Sequence, residues 1–466
     1  MTPDGPREAC GIFGIYSPGE DVARISFFGL YALQHRGQES AGIATSDGHE
    51  LRVRTGMGLV AQVFVEEDLA DLKGGNIAIG HTRYSTTGSS RIANAQPLVV
   101  DGDLGKLALA QNGNIVNASS LREQLEPAFS FSSSTDAEVI ARLITSSFGR
   151  TWEEKILRTM PRLQGAFSLV LLTKDSLIGV RDPMGIRPLC LGRLNGGWVL
   201  ASESCALDTV GAQYVREVEP GEIVVIDRWG VRSTLGSVSE KRSLCVFEFI
   251  YFARPDSLIN GRLLYLARQE MGVQLAREYP VEADLVIAVP DSAIPAGIGY
   301  AKESGIPYSE GLIKNRYIGR TFIQPDQRMR EMGVQIKFNP LLEALSGKRL
   351  VVLDDSIVRG TTTPRVVSLL RKAGAAEVHM RICAPPIRYP CFFGVDMATR
   401  AELIAARKSV EEITNYIGAD SLGYLSVEGL IKAVGLPGKD FCLACFTGGY
   451  PLPVQLEMDK LVLERQ

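Results

Sequence analysis

"KRLVVLDDSIVRGTTTPRVVSLLRKAGA", residues 348–375, decides how the second half of this chain folds. Leu350, Val351, Val352 and Leu353 form an unbroken apolar run that ends at two acids, Asp354 and Asp355. Arg359-Gly360-Thr361-Thr362-Thr363 then opens a stretch of helical spacing, which Gly374 stops. "ADLVIAVPDSA" (283–293) and "AEVHMRICAPP" (376–386) repeat the continuous apolar pattern on either side. Continuous apolar strands alternating with helices predict a parallel sheet. The turn between strand and helix suits a sugar phosphate. A helix start offers unpaired N–H groups and a favourable dipole for phosphate. Gly360 lets the backbone come close, and the threonine hydroxyls add donors. The two carboxylates lie where ribose hydroxyls or a hydrated Mg²⁺ would be, at the end of the sheet where such folds bind ligands.

The first half has a different texture. "EACGIFGIY", "ESAGIATSDG", "LRVRTGMG", "NIAIGHTRYS", "KLALAQNGNI" and "AFSLVLLTKDSLIGVRD" are short apolar or alternating runs broken by Gly, Asn and Asp, which predict strands. Two helical stretches interrupt them: "DVARISFFGLYALQHRG", stopping at Gly37, and "STDAEVIARLITSS", with a Ser/Thr/Asp cap and an early Glu138. A layered α+β domain running to about residue 235 is expected. The polar stretch "GSVSEKRS" (236–243) marks the boundary. The tail beyond about 400 reads as mostly helical and ends in the pair Cys442 and Cys445.

With 466 residues, 45% apolar and 22% charged, the chain has globular composition and length for two or three domains. A net charge of −3 argues against a general nucleic-acid or membrane binder. The leader "MTPDGPREA" lacks the apolar run of a secretory signal, and no later stretch is long and apolar enough for a membrane span. Eight cysteines without a signal point to reduced thiols, metal ligands or catalysis rather than disulfides. A Cys-x-x-Cys pair at 442 and 445, with Cys245, Cys383 and Cys391 earlier in the same half, suits zinc or an iron–sulfur cluster.

The segment at 350–363 resembles the phosphoribosyl pyrophosphate (PRPP) signature of type I phosphoribosyltransferases. The resemblance implies that Asp354 and Asp355 hold the ribose hydroxyls, with Ser356, Ile357, Val358, Arg359, Gly360, Thr361, Thr362 and Thr363 completing the PRPP loop. "AVPDSAIPAG" (288–297) is similar to that family's pyrophosphate loop, with Ser292, Asp354 and Asp355 as Mg²⁺ positions. "KNRYIGRTFIQPDQRMR" (314–330) would be the lid that keeps water from the ribosyl centre.

"CGIFGI", "LQHRGQESAGIA", "GHTRYSTTG", "QNGNI", "STDAE" and "RDPMGIRPL" follow one another through the first half. They resemble the N-terminal-nucleophile glutamine amidotransferase domain. Joined to a PRPP loop, they resemble one family, the amidophosphoribosyltransferases. That family converts glutamine, PRPP and water to 5-phosphoribosylamine, diphosphate and glutamate, the committed step of purine synthesis. The fold implied is an α+β domain of αββα layers (10–235) followed by an α/β phosphoribosyltransferase domain with a parallel sheet and a cluster-binding tail (236–466). A ligand sensor built on the phosphoribosyltransferase fold would leave the cysteine motifs unexplained. A glutaminase serving another acceptor would leave the sugar-phosphate loop unexplained.

The resemblance also answers why nine hydrophilic residues precede Cys10. Here the base that activates the thiol is the cysteine's own α-amine, which exists only once residues 1–9 are removed as a propeptide. Asn112 and Gly113 would form the oxyanion hole, and Arg83, Thr86 and Asp136 would bind glutamine. The branch of the family with a propeptide carries a 4Fe–4S cluster. The ligand context then favours Cys245, Cys391, Cys442 and Cys445, leaving Cys383 as a core thiol. A cytoplasmic homo-oligomer (tetramer or dimer) is implied, inhibited by purine nucleotides, with Lys314, Arg316 and Lys337 as possible contacts.

Overall fold

In a computed structural model, residues 10–85, 87–315, 338–396, 399–454 and 462–464 are described. The propeptide expectation (1–9), Thr86, Arg316, Lys337 and most of the lid lie outside them.

The strands of the first half form two antiparallel sheets. One has seven strands, with Gly11–Tyr16 between Ile77–Arg83 and Gly197–Ala201. The other has six, with Gly105–Ile115 between Leu98–Gly102 and Gly165–Leu172. Period-two alternation splits each strand between two cores. In Gly11–Tyr16, Ile12 enters the layer between the sheets with Ile79, Ala108, Val170 and Leu200. Phe13 and Ile15 face the other way, against Val22 and Leu30 of the helix Val22–Ala32. Helices Ala118–Leu125, Asp136–Ser146 and Trp152–Thr159 cover the outer face of the second sheet. The result is four layers, helix–sheet–sheet–helix, as the sequence motifs imply. The first helix stops at Ala32 rather than Gly37, because Leu33 to Arg36 turn tightly to carry Arg36 into the interior.

The second half is built on the parallel sheet Leu285–Ala288, Arg349–Asp354, Glu377–Ile382 and Ser421–Tyr424. Both faces are buried, which is why its strands read as unbroken apolar runs. Val351 and Leu353 join one core, and Leu350 and Val352 join the other. Helices Ile294–Ser304 and Thr363–Lys372 follow two of the strands, and the second is stopped at Gly374, whose φ is +92°. The tail is less purely helical than its sequence suggests. Ser421–Tyr424 adds the fourth strand between helices Val410–Ile417 and Val427–Val434. The chain's end returns to the first half, where Leu463 is buried in the helical layer.

A buried charge cluster joins the two halves. Arg36 pairs with Glu203 and, at 2.5 Å, with Glu248. Arg187 reaches the other Glu248 oxygen at 3.2 Å. All four side chains are fully buried. Glu248 belongs to the second half and the other three to the first.

Candidate active sites

The amide-handling pocket is assembled from ends of elements. Cys10 stands immediately before the first strand, Arg83 ends a neighbouring strand, Gln111 and Gly113 belong to Gly105–Ile115, and Asp136 starts a helix. With Tyr84, Thr87, Gln96 and Thr135 they line one pocket. The Cys10 thiol donates to the Tyr84 carbonyl at 3.3 Å. Burial pushes it above its ordinary value, against the opposing positive charge of Arg83. A thiol so placed is protonated near neutral pH and needs a base to attack an amide.

Arg83 is anchored by its own loop: its guanidinium donates to the carbonyls of Ser89 and Thr87, both at 3.1 Å. Desolvation lowers its pKa, so an anion arriving beside it would gain a nearly dry cation as partner. Asp136 Oδ2 accepts from Gln111 Nε2 at 2.8 Å and from the Ile115 N–H at 3.0 Å. Burial nevertheless raises its pKa. Asn112 is fully buried, and its amide oxygen and nitrogen lack partners among the described residues. A buried amide left unpaired costs about 1–3 kcal/mol, which makes it a strong candidate for a group that pairs only when substrate is present. Gly113 has φ of +145°, and a Cβ there would lie 2.1 Å from the Ala166 carbonyl oxygen. Gln111, Thr87 and Asn114 lie within the sequence motifs, but their roles depend on partners distant in the chain and are not assigned there. Asn114 Oδ1 accepts from the Thr87 hydroxyl at 2.6 Å.

The second site lies at the end of the parallel sheet. Asp354 Oδ1 accepts from the Asp355 N–H at 2.9 Å. The Asp355 carboxylate accepts from Ser292 at 2.5 Å and from Ser356 at 2.7 Å. The loops at 288–297 and 354–363 therefore meet through Asp355. Gly360 has φ of +72°, and a Cβ there would fall 2.5 Å from Ile404 Cδ1. Thr363 begins the helix. Ile357 and Val358 are buried in the two apolar cores, so only their backbone is available to a ligand. Two adjacent carboxylates beside a serine hydroxyl suit Mg²⁺, which keeps several waters and takes its other ligands from substrate phosphates. Lys314 is ion-paired to Asp291 at 2.7 Å, next to Ser292.

The cysteines of the second half separate into two groups. Cys245 and Cys442 face each other across the parallel pair Leu244–Cys245 and Phe441–Cys442. Cys445 lies within electrostatic reach of the Cys442, Cys245 and Cys391 thiols, and its carbonyl accepts from the N–H groups of Arg388 and Tyr389, three and two residues before Cys391. Cys383 is instead buried in an apolar core, within electrostatic reach of Asp355, Asp354 and Arg268. All eight cysteines are free thiols, and among the described residues no three His, Cys, Asp or Glu side chains are placed to share a single metal ion.

A layered antiparallel domain with a buried cysteine at its leading strand, joined to a parallel-sheet domain with an acidic sugar-phosphate turn, defines a glutamine amidotransferase fused to a phosphoribosyltransferase. Comparison with known proteins agrees. Residues 81–209 match the family model described as a glutamine amidotransferase domain. The amidophosphoribosyltransferase of Synechococcus elongatus is 54% identical, across 99% of this chain and 95% of the relative. That of Archaeoglobus fulgidus is 52% identical, across 96% and 98%. The solved structure of glutamine PRPP amidotransferase from B. subtilis, complexed with ADP and GMP, superposes with a TM-score of 0.91 at 48% identity, covering 98% of this chain and all of that one. The chain belongs to the amidophosphoribosyltransferase family. Among the described residues no helix is long and apolar enough to cross a membrane.

Proposed function

We infer that this chain is an enzyme that releases ammonia from glutamine in its first half and passes it to PRPP in its second, forming 5-phosphoribosylamine, diphosphate and glutamate. The observation that carries the reading is the meeting of Cys10, Arg83, Gly113 and Asp136 in one pocket of a chain that also presents Asp354 and Asp355 at a sugar-phosphate turn. Support for the residue roles comes from geometry. Arg83 clamps the glutamine α-carboxylate and Asp136 its α-ammonium. The α-amine of Cys10, freed when residues 1–9 are cleaved, takes the thiol proton; its ordinary pKa of about 7.7–8.0 suits that task. The thiolate attacks the side-chain amide carbon. Asn112 Nδ2 and the Gly113 N–H receive the oxyanion. The C–N bond then breaks, ammonia leaves with a proton from the amine, and water hydrolyses the thioester to glutamate. In the second half Asp354 and Asp355 hold the ribose hydroxyls, and the 356–363 turn and helix start hold the 5′-phosphate while ammonia displaces diphosphate at C1.

Two bound groups belong to the same proposal. Ser292, Asp354 and Asp355 would hold Mg²⁺, which neutralises charge on the leaving diphosphate. Cys245, Cys391, Cys442 and Cys445 would hold a 4Fe–4S cluster, whose several irons spread four thiolates more widely than one ion would; its part would be to fasten the C-terminal segment. Domain limits of 10–235 and 236–466, a cytoplasmic location, a homotetramer or homodimer, and purine-nucleotide inhibition complete the reading. The last is supported by the nucleotides bound in the B. subtilis relative.

The test is Cys10→Ala. It should abolish glutamine-dependent phosphoribosylamine formation and leave the ammonia-dependent rate intact. Equal loss of both would refute two separable sites.

A further inference from the structure

Gly113 is squeezed from both sides, and one side belongs to the other half of the chain. Within its own sheet, a Cβ on Gly113 would meet the Ala166 carbonyl. Across the inter-domain joint, Gly394 has φ of +95°, and a Cβ there would lie 2.8 Å from both Cα and the carbonyl carbon of Gly113. No side chain fits between these two stretches of backbone. The preceding residues are fastened as well. The Phe392 carbonyl accepts from Asn114 Nδ2 at 2.9 Å, and the Phe393 carbonyl from Arg187 Nε at 3.0 Å. Both phenylalanines are buried against Ala166, Met184 and Ile186 of the first half. Asn114 is itself buried, and its other amide atom takes the Thr87 hydroxyl, whose residue lines the glutamine pocket. One side chain thus joins the pocket wall, the strand carrying Asn112 and Gly113, and a loop of the phosphoribosyltransferase half.

We propose that residues 392–394 of the second half set the position of the Gly113 backbone, with Asn114 as the fastening residue, so that oxyanion stabilisation in the glutaminase half depends on how the other half is seated. Asn114 and Gly394 are positioning residues; neither touches the reacting atoms. The inference rests on the oxyanion reading of Asn112 and Gly113. A preorganised donor loses its value when displaced by a fraction of an ångström, whereas substrate binding through Arg83 and Asp136 is unaffected.

The experiment uses the processed full-length enzyme. Gly394→Ala inserts one methyl group at the contact. Asn114→Asp keeps the volume and the acceptor for Thr87 but removes the donor to Phe392. Both should lower kcat for glutamine hydrolysis about tenfold or more while KM for glutamine changes less than about twofold. Ammonia-dependent phosphoribosylamine formation should stay near the parent rate, which shows that the chain is folded. Alkylation of Cys10 by iodoacetamide, which forms no oxyanion, should also keep its rate. Parent kcat in both variants, or parallel loss of both activities in both, overturns the proposal. Asn112→Ala separates it from the reading beneath it. Parent hydrolysis in Asn112→Ala would remove the oxyanion assignment. A loss there of about 100-fold or more, with parent behaviour at 114 and 394, would remove the positioning role alone.

Discussion

Cys10 shows why a single residue needs its chain context before its chemistry makes sense. Burial disfavours the thiolate, so the nucleophile depends on a base within reach, and in this account the base does not exist until the Ala9–Cys10 bond is cut. A preparation shown by N-terminal sequencing to retain Met1 should hydrolyse no glutamine, whereas the form beginning at Cys10 should be active. Full hydrolysis by the uncleaved form would remove the α-amine from the mechanism. Asp136 yields a pH prediction. Its carboxyl is raised by burial above the usual value near 3.8, yet it must be ionised to hold an ammonium. Glutamine binding is therefore complete above the raised value and lost as pH falls through it. KM for glutamine should climb on acidification with a midpoint above 3.8, and Asp136→Asn should raise KM by about tenfold to a hundredfold at neutral pH, as expected for losing a charge-assisted contact of about 1.5–3 kcal/mol. A pH-independent KM would contradict the role. Cys10, Arg83 and Asp136 were legible in the sequence because each sits in a short motif. Asn114 and Gln111 lie in the motif "QNGNI" too, but their roles were not legible, because what distinguishes them is a partner far away in the chain: Phe392 for one and Asp136 for the other.

At the scale of elements, the parallel strands were legible for a physical reason. A strand buried on both faces has no polar positions, and Leu350 to Leu353 supply alternate residues to two cores. Ser421–Tyr424 was missed because it is four residues long, begins with a polar residue and contains Gly423, so that it carries no apolar run. The acidic turn after Arg349–Asp354 was legible as a ligand loop, but its sequence does not reveal that Ile357 and Val358 point into the core. Nor does it reveal that Asp355 ties the turn to Ser292. That tie gives the next prediction. Asp355→Asn loses an ionic acceptor that organises two loops, and Asp354→Asn keeps an oxygen for its neighbour's N–H but loses the charge. Either should raise KM for PRPP and lower turnover by about tenfold or more, with glutamine hydrolysis less affected. Unchanged PRPP kinetics in both variants would remove the assignment.

At the scale of the whole molecule, the two halves are joined by charge as well as by apolar packing. Glu248 answers Arg36 and Arg187 in a fully buried cluster. Glu248→Ala would leave two guanidinium groups short of a counter-charge in the interior, a loss of about 3–5 kcal/mol, and should appear as a lower melting temperature. A variant as stable as the parent would show that water or another acid reaches the joint. The proposed cluster would give the C-terminal segment a second fastening through its cysteines. Protein purified without oxygen should contain about four irons per chain. Cys391→Ser should lose the iron and Cys383→Ser should keep it, since Cys383 is buried in an apolar core within reach of Asp355 and Asp354 rather than of the other thiols. Zinc in place of iron, or the reverse pattern of loss, would contradict the ligand set. If one chain moves nitrogen from glutamine to a ribosyl carbon, its products must balance, and that balance is the most direct measurement. The processed enzyme is given glutamine, PRPP and Mg²⁺, and glutamate and diphosphate are quantified from the same reaction. Equal amounts of the two are expected, with glutamine-dependent release of diphosphate from PRPP abolished in Cys10→Ala and restored there by ammonia. Glutamate released at full rate with no diphosphate formed would contradict the transfer.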